Sequence, residues 1–395
     1  DTFLTAGVAS GFDLAGFNQI THQILGTGFF TNSSTLTPST LTVGGDNVSF
    51  TFSGALTDNL AGGGQALNLT KTGTGVLAFG AVNNYAGLTD IQAGRLDITN
   101  IGSFGLGPVN IETGAELRMN RTGTLNFPNE LSGSGFVRSV GSGITILTAA
   151  NSGFTGRFLV DNGILQVGDG TLAGDTGDLG SANKVIVTTP GQLRFNYTVD
   201  YQLFRPIEGT GDVVQESRMT LDLATASSAF SGRVVVNNGI MTASAVSALA
   251  ASTGIVVNRG TYFDAVTSTY LPGSFFKVTG NDSVGTVSYG VPLTLNGGTA
   301  DALTQTAYLG AITLNGGELT SDLVSPAVSG SWIFLGNVTA TADTTISAEN
   351  INVGLTSASR NFNVDAGKVL TFSGSYADAV PVTGVSSLSK SGAGT

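Results

Sequence analysis

The stretch Phe154-Thr155-Gly156-Arg157-Phe158-Leu159-Val160-Asp161-Asn162-Gly163-Ile164-Leu165 returns, with the same residue classes at the same spacing, as Phe230-Ser231-Gly232-Arg233-Val234-Val235-Val236-Asn237-Asn238-Gly239-Ile240-Met241. A looser copy runs Asn84-Tyr85-Ala86-Gly87, then Thr89, Ile91, Ala93-Gly94-Arg95-Leu96 and Ile98. Each copy reads as an aromatic, a Gly corner, a short apolar strand, a second Gly corner and another strand. A second element follows each copy: Leu106-Gly107 before Val109 to Gly114, Leu179-Gly180 before Val185 to Gly191, and Leu249-Ala250 before Ile255 to Gly260. Further on, Leu293-Thr294-Leu295-Asn296-Gly297-Gly298 recurs as Ile312-Thr313-Leu314-Asn315-Gly316-Gly317.

The longer period is about 70 residues, divided by Gly-containing corners about every 20, which is the scale of stacked coils. One strand-turn-strand coil has no second layer to cover its apolar face, so it is stable only on near-copies of itself. The expected fold is all-β, a right-handed parallel β-helix (β-solenoid) of about sixteen to twenty coils. Val, Ile, Leu and Phe should pile into internal ladders, with Asn and Gly taking positive-φ corners. Leucine-rich and helical repeats need helical segments that the chain lacks after its first thirty residues, and a propeller repeats at a longer period, about 40 to 50 residues.

Composition agrees. Gly supplies 57 of 395 residues and charged residues only 11%, against roughly 25% in ordinary domains, so hydroxyls and amides must keep the surface wet. An apolar content of 41% is too high for a chain that never packs. The net charge of -11 is scattered, without a basic patch, which argues against nucleic acid as a partner. The absence of Cys removes disulfides and thiolate chemistry. No apolar run approaches the ~20 residues of a membrane helix, so this segment is not expected to insert in a membrane. No leader opens the chain, which suggests a processed protein or a piece of a longer one.

Leu69-Thr70-Lys71-Thr72-Gly73-Thr74-Gly75-Val76-Leu77, followed by Asn83 to Thr89 and Ala93-Gly94-Arg95-Leu96, closely resembles the autotransporter-associated β-strand repeat. The motif returns as Leu388-Ser389-Lys390-Ser391-Gly392-Ala393-Gly394, and a Thr-Phe-Ser-Gly element precedes both, at Thr51 to Gly54 and Thr371 to Gly374. The resemblance implies a bacterial autotransporter passenger region, extracellular or outer-membrane-associated. Two features depart from the family. No pattern of amphipathic strands with an aromatic girdle marks a translocating barrel, and Thr395 falls in mid-motif, where another strand is expected to follow.

The search for chemistry finds no catalytic, cofactor-binding or metal-binding residue to nominate. His22 is the only histidine, no Gly-x-Ser-x-Gly elbow accompanies it, and it reads as a surface or packing residue. β-Helix enzymes that cut polysaccharides cluster acidic and basic groups on one face, whereas the acids here stand singly beside Gly or Asn. The richest acidic patch, Asp169, Asp175 and Asp178, lacks any regular calcium-loop pattern and reads as a solvated loop. Most Phe side chains fall in alternating strands such as Val48 to Phe52 and belong to the core, and Trp332 reads as core or interface. Sequons at Asn32, Asn47 and Asn337 follow from composition.

Residues 1–42 differ from the rest. Leu14, Phe17, Ile20, Ile24 and Leu25 have spacings that suggest an apolar helical stripe, so the segment is expected to be a cap or an interface, with repeats filling 43–395. The functional expectation is a non-enzymatic structural or adhesive scaffold. The alternatives are a subunit of an extracellular filament or surface layer, and a polysaccharide-acting enzyme. Expected partners are further copies of the chain, in fibres or arrays, and a host-surface or glycan ligand.

Overall fold

The computed structural model describes residues 3–7, 10–58, 64–99, 102–171, 177–322, 331–349, 351–353, 359–377 and 387–395. Among them there is no α-helix, and the strand pairs whose register is described are parallel apart from one hairpin. Two compact units are present: Asp1–Asp169 with Gly174–Ile186 and Pro190–Gln192, and Gly170–Ala173 with Val187–Thr189 and Leu193–Thr395. Each is a stack of parallel β-helix coils.

In the first unit, one sheet takes strands Gln19–Ile20, Ser39–Val43, Leu67–Lys71, Thr89–Ile91, Val109–Ile111, Leu131–Gly133 and Gly153–Phe154 side by side in chain order. A second takes Phe50–Phe52, Val76–Phe79, Arg95–Thr99, Glu116–Asn120, Phe136–Ser139 and Arg157–Val160 in the same way. From Thr124–Phe127 onward a third sheet adds Ile144–Leu147 and Ile164–Val167. On the second sheet Leu77, Leu96, Leu117, Val137 and Phe158 stand in register, so successive rungs advance by 19, 21, 20 and 21 residues. All five are buried. Alternate residues point outward because the side-chain period of a strand is two, and each fully buried Leu or Val contributes about 1.5–3 kcal/mol.

The apolar residues near the N-terminus are not on a helix. Short strands Gly11–Asp13 and Gln23–Gly26 occupy that stretch, and Phe17 and Ile20 are 75% and 73% exposed while Leu14 and Ile24 are buried. Parallel pairing outcompetes the local helical spacing: Gly11–Asp13 pairs with Phe29–Thr31, which pairs with Ala55–Thr57, and the Phe12, Phe30 and Phe52 rings pack tilted and edge-on at 5.8 and 5.4 Å.

In the second unit, Val213, Val234, Ile255, Leu293, Ile312, Val338 and Phe362 form an inward ladder. On the same strands Val256, Thr294, Thr313, Thr339, Asn363 and Ser391 occupy alternate, outward register positions. The step from Ile255 to Leu293 is 38 residues because a hairpin, Thr261–Asp264 with Thr269–Pro272, is inserted there. Trp332 is fully buried, its Nε1 donating to the Thr320 carbonyl at 2.7 Å, so it is core.

Candidate functional site

Asparagine does not take the corners as expected. Among the described asparagines only Asn47 has positive φ, while Gly73, Gly94, Gly163, Gly239 and Gly392 fill the recurrent corners at φ between 63° and 78°. At Gly94 a Cβ would stand 2.5 Å from the Gly75 carbonyl oxygen, and the preceding coil's backbone passes just as close to Gly163 and Gly239. Asn is used instead to join coils. Asn83, 2% exposed, accepts the Leu56 N–H at 2.8 Å from the coil before and donates to the Ser103 carbonyl at 2.7 Å on the coil after. Asn151 repeats this with Leu131 N–H at 2.9 Å and the Asp178 carbonyl at 2.6 Å. Asn32 is fully buried with its amide on Thr37 and Gln65 carbonyls, so that sequon serves the core. The aromatic that follows each joint, Tyr85 or Phe154, is fully buried, as is Phe230, which follows Ser227, a serine whose hydroxyl accepts the Ile207 N–H at 3.1 Å. Burial raises the Tyr85 phenol to about 12, and its hydroxyl bonds Thr89 Oγ1 at 2.6 Å.

The motif lysine is part of the same machinery. Lys71 stands on the inward ladder between Val43 and Ile91, fully buried, and donates to the carbonyls of Thr72, Gly73 and Ala93 at 2.5, 2.9 and 3.3 Å. Burial pushes its amine down to about 8, against the pull of the Asp46 carboxylate. In the later copy Lys390 donates to Gly392 at 3.3 Å, so lysine and Gly corner recur as one unit.

A second row runs up one corner of the second unit. Asn237 Nδ2 donates to Glu216 Oε1 at 2.7 Å, Asn258 to Asn237 at 2.6 Å, Asn296 to Asn258 at 2.8 Å, and Asn315 to Asn296 at 2.8 Å. An amide carries both donor and acceptor, so identical side chains on successive coils satisfy one another. On the first unit's second sheet, outward charges pair likewise: Arg95 with Asp97, Arg118 with Glu116 and Arg138 with Asp161, each at 2.6 Å.

The residues weighed for chemistry are dispersed. The His22 carbonyl accepts the Gly44 N–H at 2.8 Å, and the nearby Asp46 carboxylate accepts from Gln23 Nε2 at 2.9 Å. Asp169 is exposed, Asp178 accepts the Gly180 N–H within its own turn, and Asp175 lies outside the described residues. Among the described residues no three His, Asp or Glu side chains gather in a metal-binding group.

One concavity was not legible in the sequence. A cavity of about 460 Å³ in the second unit is lined by Asn196, Glu216, Arg218, Met219, Asn238 and Tyr270, among others. The inserted hairpin contributes Tyr270 to its lining. Phe263 N–H donates to the Arg218 carbonyl and Gly239 N–H to the Thr261 carbonyl, both at 2.8 Å, and the Arg218 guanidinium carbon lies 5.0 Å from the Tyr270 ring centre. The Asp264 carboxylate closes the hairpin turn on Thr267 Oγ1 at 2.6 Å and on the Val266 N–H at 3.1 Å, and the Thr267 hydroxyl holds that carboxyl below its usual range.

Residues 69–98 and 140–167 match the family model described as passenger-associated-transport-repeat. Both matches lie in the first unit and contain the Asn joint, the buried aromatic and the positive-φ Gly of their coils. No curated protein and no solved structure matches the chain significantly. Two of the coils thus carry the passenger-associated transport repeat, and the coils around them fold as a parallel β-helix.

Proposed function

We propose that the chain is a non-enzymatic structural or adhesive scaffold, serving as a stalk, fibre or display segment on a bacterial surface. The observation that carries this reading is the passenger-type repeat set on coils whose buried polar groups are spent on joining one coil to the next. Paired outward charges and the asparagine row add to it, since groups already satisfied by neighbours stiffen a stack. The repeat family implies exposure at the cell surface or outside the cell.

The test combines electron microscopy of the purified chain with protease shaving of cells that express the natural protein. Isolated stiff particles and surface cleavage are expected. Regular polymers would move the reading to a self-assembling filament or layer. Release of reducing ends or unsaturated products from a glycan panel would replace it with an enzyme.

A further inference from the structure

We propose that the cavity beneath the hairpin of the second unit binds a neutral pyranose residue of a glycan. This deepens the adhesive reading by naming a ligand class and a place, and it rests on that reading only for its biological setting.

Three observations carry the assignment. First, the element that brings Tyr270 to the cavity is an insertion: Thr261–Asp264 and Thr269–Pro272 form an antiparallel hairpin in a coil lengthened to a step of 38 residues. Tyr270 is 51% exposed at its rim. The hairpin is held in shape without a ligand, by the backbone bonds to Arg218 and Gly239, by the Asp264 turn and by the edge-on packing of Tyr262 against Phe275 at 4.9 Å.

Second, the polar groups lining the cavity have capacity to spare, unlike the joined asparagines elsewhere. Asn196 makes no side-chain hydrogen bond among the described residues, and Arg218 makes no ion pair there. Asn238 accepts from Thr261 N–H at 3.1 Å, which leaves its Nδ2 to donate. Glu216 has one carboxylate oxygen on Asn237, and the other has no hydrogen bond among the described residues. These planar amide, carboxylate and guanidinium groups are the types that bridge adjacent hydroxyls on a sugar ring. Tyr270 and Met219 supply apolar surface for the ring's C–H face.

Third, size and charge select among ligands. About 460 Å³ lies within the roughly 300 to 1,000 Å³ of small-ligand pockets. The lining carries one carboxylate, Glu216, which faces Arg194 at 3.9 Å, and one guanidinium, Arg218, and a net charge of -11 repels polyanions, so a neutral sugar is favoured over a uronate, a phosphate or a nucleotide.

The test is calorimetric titration of the purified chain with gluco-, xylo-, manno- and chito-oligosaccharides, beside a polyuronate and inorganic phosphate. Binding of at least one neutral series is expected, weakened about tenfold or more in Tyr270→Ala and in Asn196→Ala. Phe204→Ala, a change at a 57% exposed aromatic outside the lining of this cavity, should leave binding unchanged. Tyr270→Phe keeps the ring and should retain most of the affinity, which separates loss of a contact from collapse of the hairpin. No binding to any neutral series, binding to the anions alone, or equal binding in wild type, Tyr270→Ala and Asn196→Ala overturns the proposal. None of these results touches the scaffold reading, which microscopy and shaving decide.

Discussion

Asn83 and Asn84 are neighbours in the chain and should respond to alanine very unequally. The Asn83 side chain is 2% exposed and satisfies the buried Leu56 N–H at 2.8 Å, the Ser103 carbonyl at 2.7 Å and, less well, the Ala81 carbonyl at 3.2 Å. Asn84 is exposed. Removing the Asn83 amide strands one fully buried donor and one partly buried acceptor. At about 1–3 kcal/mol per buried group left unpaired, with a discount for the carbonyl that water can reach, Asn83→Ala costs about 2–4 kcal/mol. Asn84→Ala should stay within about 0.5 kcal/mol. A repeat stack opens locally as well as globally, so amide hydrogen exchange is the sharper assay, with urea unfolding as its companion. Exchange at the Leu56 amide should accelerate roughly 30- to 700-fold in Asn83→Ala, since 1.4 kcal/mol is a factor of ten. Equal protection at Leu56 in the two variants would refute the idea that this amide joins the coils.

Three further outcomes follow from the same geometry. Lys71 has its amine lowered by burial from 10.5 to about 8, so between those values the unfolded chain holds a proton that the folded chain has released; its contribution to stability rises with pH across that window, by up to about 3 kcal/mol, and urea midpoints at pH 7 and pH 10 compared with Lys71→Met should reveal the slope. Alanine should be graded by corner: Gly94 and Gly163 (φ 67° and 66°, against backbone) should cost about 2 kcal/mol or more, Gly114 (φ 84°, open space) about 1 kcal/mol, and Gly123, with nothing within 4 Å, almost nothing, read from thermal midpoints. Asn258 bonds an Asn on both sides, so Asn258→Ala should cost about 1–2 kcal/mol, and a double-mutant cycle with Asn296 should show coupling while one with the distant Asn110 should not.

The parallel solenoid could be read from residue order because its determinant is local and repeated. An alternating strand that ends at a Gly corner about every 20 residues admits few ways to cover its apolar side, and stacking on the next copy is the one that uses each coil twice. The inward ladders of Leu, Val, Ile and Phe, the core place of Trp332 and the glycine corners all follow from that period. The N-terminal segment misled because a spacing of three and four also arises by chance where short strands and turns alternate; strand pairing with Phe29–Thr31 and Ser39–Val43 decided the matter, and it depends on residues distant in the chain.

What only the tertiary structure decided is which partner each polar side chain meets. The sequence shows Asn83, Asn151, Asn237, Asn258, Asn296 and Asn315 as turn formers, and nothing local distinguishes the two that bridge coils through the core from the four that form a row outside. The cavity under the hairpin is hidden for the same reason. Asn196, Glu216, Asn238 and Tyr270 come together only once coils of about 20 residues stack and an insertion folds back across them, a juxtaposition set by accumulated register rather than by any motif.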